Sequence, residues 1–390
     1  MQKWLLPEHI EDILPAEAAR LEHLRRILLD LFAVHGYELV MPPLIEYVDS
    51  LLTGTGHDLE SRTFRLVDQL SGRLLGLRAD ITPQAARIDA HLLNRQGVTR
   101  LCYSGSVLHA VPSGLRRTRE PLQIGAEIYG HGGLESDLEI QSLMLRALSA
   151  AGVGGVHLDM GHVGVFRAIV TRGSLDADLE AELFRVLQAK DTAALTDLTA
   201  ALDRPVREAL MRLPELYGGA EVIARARAVL PDLPEIASAL DGLESIGRTL
   251  AGEVGELCFD LAELRGYHYH SGVVFAAYAR GAGDAIARGG RYDEVGKAFG
   301  RARPATGFSI DLREVAALSG LERRLQRVLA PYAPQDKALQ DEIRRLREAG
   351  VAVVIDLPGH NDGAAELDCD GRLVAQAGRW QVEAWGGRGK

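Results

Sequence analysis

Four short polar clusters lie in otherwise apolar stretches of the chain, and any chemistry it performs should centre on them. They are Leu77-Arg78-Ala79-Asp80-Ile81-Thr82, Gln123-Ile124-Gly125-Ala126-Glu127, Arg265-Gly266-Tyr267-His268-Tyr269-His270-Ser271-Gly272 and Gly289-Gly290-Arg291-Tyr292-Asp293. Alternate residues of a strand share a face, so Gln123, Gly125 and Glu127 would line one side of a sheet. A face carrying Gln, then no side chain, then Glu leaves room for a small ligand with donors to satisfy. Acidic groups suit an ammonium, and a second carboxylate suits an imidazole N–H.

Each cluster also has an ordinary reading. A strand Gln or Glu commonly faces solvent, and Gly289-Gly290 commonly marks a turn. The loop with Arg116, Arg117 and Arg119 is most simply a solvated one. The sharper alternative makes Arg117 and Arg119 contacts for an anion or nucleotide. His268 and His270, two apart, suggest a metal, but no third ligand is evident, so neither a metal site nor a cofactor is expected.

The elements that must position these clusters follow from periodicity. Leu21, Leu24, Leu28, Leu31 and Phe32 recur at helical spacing over 16–35, after Pro15 and before Gly36. An extended piece, 37–41, ends at Pro42-Pro43. Thr63–Val67 and Arg73–Leu77 read as a hairpin around Ser71-Gly72, and Pro83–Leu93 reads as a helix. Arg100–Val107 and Pro121–Tyr129 are β-like, Leu134–Ala151 is a helix closed by Gly152, and Val156–Met160 is a short strand. From about 171 to 252 the chain is rich in Ala, Leu, Glu and Arg and broken by prolines, which predicts a helical insertion. Strands return at Leu257–Leu264, Val273–Arg280 and Thr306–Leu312. A tail from about Leu321 carries a helix at Gln335–Glu348, a strand at Val351–Leu357 and a hairpin turning at Asp370-Gly371.

This is an α+β layout: a mainly antiparallel sheet flanked by helices over 1–320, with the 171–252 helical insertion within it, and a small α/β unit over 321–390. At 390 residues the chain is long enough for two or three domains. Apolar residues are 47% and charged residues 25%, ordinary values for a protein with a core. The net charge of −10 disfavours broad nucleic-acid binding. No run of about eighteen apolar residues could span a membrane, and the first residues lack a signal-peptide core. Cys102, Cys258 and Cys369 form no CxxC pair and are expected to be buried, inert thiols of a cytoplasmic protein.

The order of the clusters resembles histidyl-tRNA synthetase, a class II aminoacyl-tRNA synthetase. Glu11-Asp12-Ile13-Leu14-Pro15-Ala16-Glu17 is similar to its opening. Gly36-Tyr37-Glu38-Leu39-Val40-Met41-Pro42 resembles motif 1, the dimer-forming element. Gln123–Glu127 resembles the strand for histidine, and Arg265-Gly266 with its aromatics the histidine-specific loop. Gly289–Asp293, followed by Pro304-Ala305-Thr306-Gly307-Phe308, resembles the approach to motif 3. The resemblance covers about residues 5–315. It implies a histidine pocket formed by Asp80, Thr82, Gln123, Glu127, Arg265 and Tyr269, with His268 and His270 departing from the family's aspartate and tyrosine.

The ATP side departs further. His109 stands at the motif 2 arginine and Val111 at the glutamate. Glu314 stands at the motif 3 arginine, an anion expected to face the triphosphate, and Asp311 replaces a glycine, with Arg313 one residue off. Losing one preorganised transition-state donor costs about 2.7–4 kcal/mol, so aminoacylation is not expected.

A core of this kind with Arg265–His270 and Asp80-Ile81-Thr82-Pro83-Gln84 is similar to the regulatory subunit of ATP phosphoribosyltransferase. That resemblance implies a non-catalytic, allosteric protein of histidine biosynthesis. Its partner would be a short-form catalytic subunit, in a hetero-octamer built on regulatory homodimers, with histidine as feedback effector and no tRNA. An atypical histidyl-tRNA synthetase and a free-standing histidine sensor are the alternatives.

Overall fold

The computed structural model describes residues 4–53, 57–112, 118–267, 269–321, 324–359 and 367–384. It divides into two compact units, Met1–Leu321 and Glu322–Lys390.

The first unit is built on a nine-stranded sheet. From one edge the strands run Glu38–Leu39, Thr99–Ser106, Leu122–Tyr129, Ala305–Asp311, Ala287–Arg291, Val273–Tyr278, His157–His162, Glu256–Asp260 and Tyr217–Gly218. The interior pairs are antiparallel, and the first pair and the His157–Glu256 pair are parallel. The Gly289-Gly290 segment is therefore a central strand and not a turn. It is legible only in context, because glycine disfavours strands unless a neighbour must approach closely.

Helices Pro15–Val34 and Leu134–Ala150 place Leu21, Leu24, Leu28, Phe32, Ile140 and Met144 in the same core as Ile124, Ile128 and Phe308 of the sheet. Glu139 holds Arg100 at 2.7 Å and accepts from Tyr37 Oη at 3.0 Å, tying the second helix to the sheet edge. The expected helix at 83–93 is an α-helix over Thr82–Arg87 continued by a π turn over Ile88–Leu93. That turn puts Asp89 against Arg303 at 2.8 Å, a fully buried ion pair joining it to the approach of the 305–311 strand. A small sheet of Ile45–Tyr47, Leu74–Leu77 and Phe64–Val67 contains the expected hairpin.

The 171–252 region contains five α-helices from Ala177–Gln188 to Pro234–Leu250. Leu183, Leu210, Ile223 and Leu243 join the core of the central sheet, and Tyr217–Gly218 extends the sheet's edge. One thiol differs from expectation: Cys102 and Cys369 are buried, but Cys258 is half-buried. It lies near the edge of the sheet, where its strand has only the two-residue Tyr217–Gly218 strand beyond it.

The second unit has four strands in the order Ala352–Asp356, Arg327–Pro331, Gly371–Gln376, Arg379–Ala384, with helix Lys337–Glu348. Its hairpin turns at Ala377-Gly378, not at Asp370-Gly371. Both turn residues have positive φ, 51° and 76°, as a two-residue hairpin with the right twist requires. Asp370 instead accepts from Arg327 N at 2.8 Å, fixing the start of the strand.

Candidate functional site

A cleft of about 540 Å³ opens on one face of the central sheet. Asp80, Thr82, Gln123, Glu127, Arg265 and Tyr269 all line it, although they come from three distant segments of the chain. Arg117 and His268, with Arg116, lie outside the described residues. Arg119 is absent from the cleft wall. Its Nε donates to His109 O at 3.0 Å and its guanidinium lies 4.6 Å over the Phe64 ring.

Glu127 is the centre of the site. Its side chain is 1% exposed and accepts from Tyr103 Oη at 2.8 Å and from Tyr292 Oη. Burial pushes its carboxyl up to about 8, against the pull of the two tyrosine hydrogen bonds. The group is thus largely protonated at pH 7. Glycine at 125 does not leave space for a ligand, as the alternation of the strand suggests. A Cβ there would come within 2.6 Å of Tyr103 Oη, so the vacancy admits the tyrosine that holds Glu127. Tyr103 stands directly opposite Gly125 in register.

Gln123 has a similar supporting role. Its Nε2 donates to Asp80 Oδ1 at 2.8 Å and its Oε1 accepts from Ile81 N at 2.9 Å. Thr82 N also donates to Asp80 Oδ1 at 2.9 Å, and Thr82 Oγ1 bridges to Tyr103 Oη at 3.0 Å. Asp80 is thereby oriented through one oxygen. Tyr269 stacks its ring 4.9 Å from that of Tyr292, and its hydroxyl is buried without a hydrogen-bond partner. Buried hydroxyls are rarely left so. Arg265 stands half-exposed at the rim, 3.3 Å from Glu263. His270 packs beneath the loop, and burial pushes its imidazole down to about 4, so it is neutral.

Four contributors were not singled out from the sequence for this role. Tyr103 and Tyr292 grip Glu127, Gly307 faces it, and Arg62 stands beside His109. A large aromatic opposite a glycine was the available signal for Tyr103. Nothing local marks Arg62, which reaches the cleft only through the fold.

Among the described residues, the arginines that line the cleft are Arg62, Arg265 and Arg288. Burial, and then Arg62, push the His109 imidazole down to about 4. Arg62 Nη2 lies 2.8 Å from His109 Nε2 and 3.1 Å from Nδ1. Arg313 turns away, donating to Thr118 Oγ1 and Glu120 O at 3.3 Å and pairing with Glu11. Glu314 is not among the lining residues. Asp311 does line the wall, and its carboxylate caps the helix Leu312–Leu318 by accepting from Arg313 N at 3.0 Å. Arg313 and Glu314 are successive residues of that helix and so point about 100° apart, whereas Asp311 is its extended N-cap. The cleft thus offers two carboxyls for an ammonium and a free hydroxyl. Neither His109 nor Arg313 brings a charge to a triphosphate there.

The scaffold is that of the histidyl-tRNA synthetases. The family model for histidyl-tRNA synthetase matches residues 9–315. A crystal structure titled as an ATP phosphoribosyltransferase regulatory subunit/histidyl-tRNA synthetase from Bacillus halodurans superposes with a TM-score of 0.82 at 27% identity, covering 94% of this chain and 97% of that one. A histidyl-tRNA synthetase from a Nostoc species shares the fold with a TM-score of 0.76 at 17% identity, over 98% of this chain and 97% of that one. The tail matches the model for the ATP phosphoribosyltransferase subunit HisZ C-terminal domain over residues 325–383. The ATP phosphoribosyltransferase regulatory subunit of Nitrosospira multiformis is 60% identical over 386 residues, 98% of each chain, and that of Ralstonia nicotianae is 59% identical over 383 residues, again 98% of each. The chain belongs to the family of ATP phosphoribosyltransferase regulatory subunits.

Proposed function

We propose that this regulatory subunit binds free histidine in the Glu127 cleft and through it biases a short-form ATP phosphoribosyltransferase catalytic subunit between active and inhibited states. The observation that carries the reading is a buried carboxyl beside an orphaned tyrosine hydroxyl, with Asp80 held alongside. The ammonium would pair with Glu127 or Asp80, and the imidazole would take the other carboxyl and the Tyr269 hydroxyl. To regulate, histidine must bind one state better than the other, and a coupling of about 1–3 kcal/mol is typical. The subunit would act in the cytoplasm as a homodimer formed through the element around Glu38–Leu39, within a hetero-octamer. Among the described residues no helix is long and apolar enough to cross a membrane.

The testing experiment is calorimetric titration of histidine into the chain alone and into the mixed complex, with and without ATP. Binding to the chain, indifferent to ATP, together with a stable mixed complex supports the reading. Tight ATP binding with release of histidyl-adenylate overturns it. Binding only in the mixed complex moves the effector site to the junction.

The protonation of Glu127 gives a second expectation. Its carboxyl titrates near 8 in the empty cleft and must ionise to pair with a cation. The free protein therefore holds more protons than the complex, and affinity rises with pH from about 6 to about 8. At about pH 7.5, where free imidazole with its reference pKa of about 6.5 is neutral, binding should release close to one proton. The apparent enthalpy should then vary with the ionisation enthalpy of the buffer. A buffer-independent enthalpy would place the ligand away from Glu127.

A further inference from the structure

At the other side of the sheet from Glu127's strand, two neighbouring strands bring unlike ligand atoms together. His157–His162 and Glu256–Asp260 pair in parallel, with His157 opposite Glu256 and Asp159 opposite Cys258. Opposed residues of a pair point to the same face. One atom each of His157, Glu256 and Cys258 lie within 4.8 Å of one another, and all three residues are at least partly exposed. His157 Nδ1 is 3.0 Å from Glu256 Oε2, and His157 Nε2 is 2.6 Å from Asp159 Oδ1.

We propose that His157, Glu256 and Cys258 bind a divalent cation of the zinc class, with Asp159 orienting the histidine. The donor set decides the class. A thiolate and an imidazole select borderline-soft ions such as zinc, cobalt or cadmium over magnesium or calcium. Three protein ligands leave the fourth tetrahedral position to water. A metal-bound histidine almost always donates its other ring N–H to a carboxylate or carbonyl, which fixes the tautomer. Asp159 is placed to take the Nε2 proton, leaving Nδ1 for the ion. On binding, Cys258 releases its thiol proton to solvent as the metal–sulfur bond forms, while His157 binds as the neutral ring. Small rotations of half-exposed side chains bring the three atoms from 4.8 Å to the separations that metal bonds of about 2.0–2.3 Å need.

Two carboxylates, those of Glu256 and Asp159, lie on the His157 imidazole, with the Cys258 thiol beside them. Asp260, next on that face, is already paired with Lys190 at 2.7 Å. A purely structural ion pair would explain His157 between its two carboxylates but not the sulfur beside them. Nothing local marks the cluster, because His157 and Cys258 lie far apart in the chain and Cys258 has no partner cysteine.

The test uses the full chain, treated with chelator and titrated first with Co²⁺ and then with Zn²⁺. One equivalent of Co²⁺ should produce a thiolate-to-metal charge-transfer band, which Zn²⁺ then removes. Cys258→Ser should abolish the band, whereas Cys102→Ser and Cys369→Ser should keep it. Asp159→Asn should keep the band but weaken Zn²⁺ binding by about 10- to 100-fold. Circular dichroism checks folding, and should Cys258→Ser fail to fold, His157→Gln takes its place with loss of the zinc equivalent as the readout. A folded wild-type chain that shows no band, or a band that survives Cys258→Ser, overturns the proposal.

Discussion

Replacing Glu127 by Gln should weaken histidine binding by about 10- to 100-fold and, at the same time, make the protein more stable above neutral pH. The first effect follows from the charge. A hydrogen bond to an ionised group is worth about 1.5–3 kcal/mol, and Gln keeps the shape while removing the charge. The second follows from burial. The folded carboxyl titrates at about 8 and its ordinary value is 4.5, so the fold disfavours the ionised form. Stability is therefore greatest below about 4.5 and declines as pH rises towards 8. At about 1.4 kcal/mol per pH unit, the cost at pH 7 is roughly 3 kcal/mol, which Gln avoids. Some of that gain is offset because Tyr103 and Tyr292 lose an acceptor that carries charge. Calorimetric unfolding of both proteins at about pH 5 and about pH 8 checks it, since the advantage of Glu127→Gln should widen with pH. A variant that is less stable at pH 8 would mean that the carboxylate is ionised and holds the strands together. Unchanged histidine affinity would remove Glu127 from the binding site.

Gly307→Ala should abolish measurable histidine binding and lower stability by several kcal/mol. Gly307 stands opposite Glu127 in the antiparallel register. A Cβ on it would lie 1.5 Å from Glu127 Oε2 and 2.8 Å from Ala126 O. The carboxylate that must move to clear that methyl is the one that accepts both tyrosine hydrogen bonds. Overpacking a core costs about 1–3 kcal/mol, and each buried group left without its partner adds about 1–3 kcal/mol. Gly154→Ala is the control, because a Cβ there meets nothing within 4 Å. Thermal unfolding and histidine titration of both variants check the expectation. Since the clash is with the carboxylate, Glu127→Ala in the Gly307→Ala background should recover part of the lost stability, a coupling that distant sites would not show. Wild-type affinity in Gly307→Ala would sink the Glu127 pocket.

The two expectations share a cause. The site puts an acid where the fold least tolerates its charge, and keeps glycine where any side chain would displace it. Under the proposed function a ligand cation would relieve the first conflict, linking binding and folding through one proton.

Much of this was legible before any coordinates. The helix at 15–34, the two long strands that carry Tyr103 and Glu127, and the helix at 134–150 each rest on a periodic apolar face or on turn residues at their ends. Such patterns are local, and the chain states them directly. The order of Asp80, Gln123, Glu127, Arg265 and Tyr269 along the chain also named the residues that line the cleft. The misreadings occurred where a residue's neighbour is distant. Gly125 looks like ligand space until Tyr103 fills it, and the ordinary alternative of a turn at Gly289-Gly290 falls away once the strands on both sides are known. Asp370-Gly371 looks like a hairpin turn until the Arg327 N–H is seen to donate to the Asp370 carboxylate.

The sequence by itself therefore determined the elements, the family and the wall of the pocket, because periodicity, capping and motif order are written in consecutive residues. Only the tertiary structure decided how Glu127 is held by two tyrosines, where Arg62 and Asp311 stand, and that His157 meets Cys258. Those facts depend on strand register, and register brings together side chains that the chain keeps far apart.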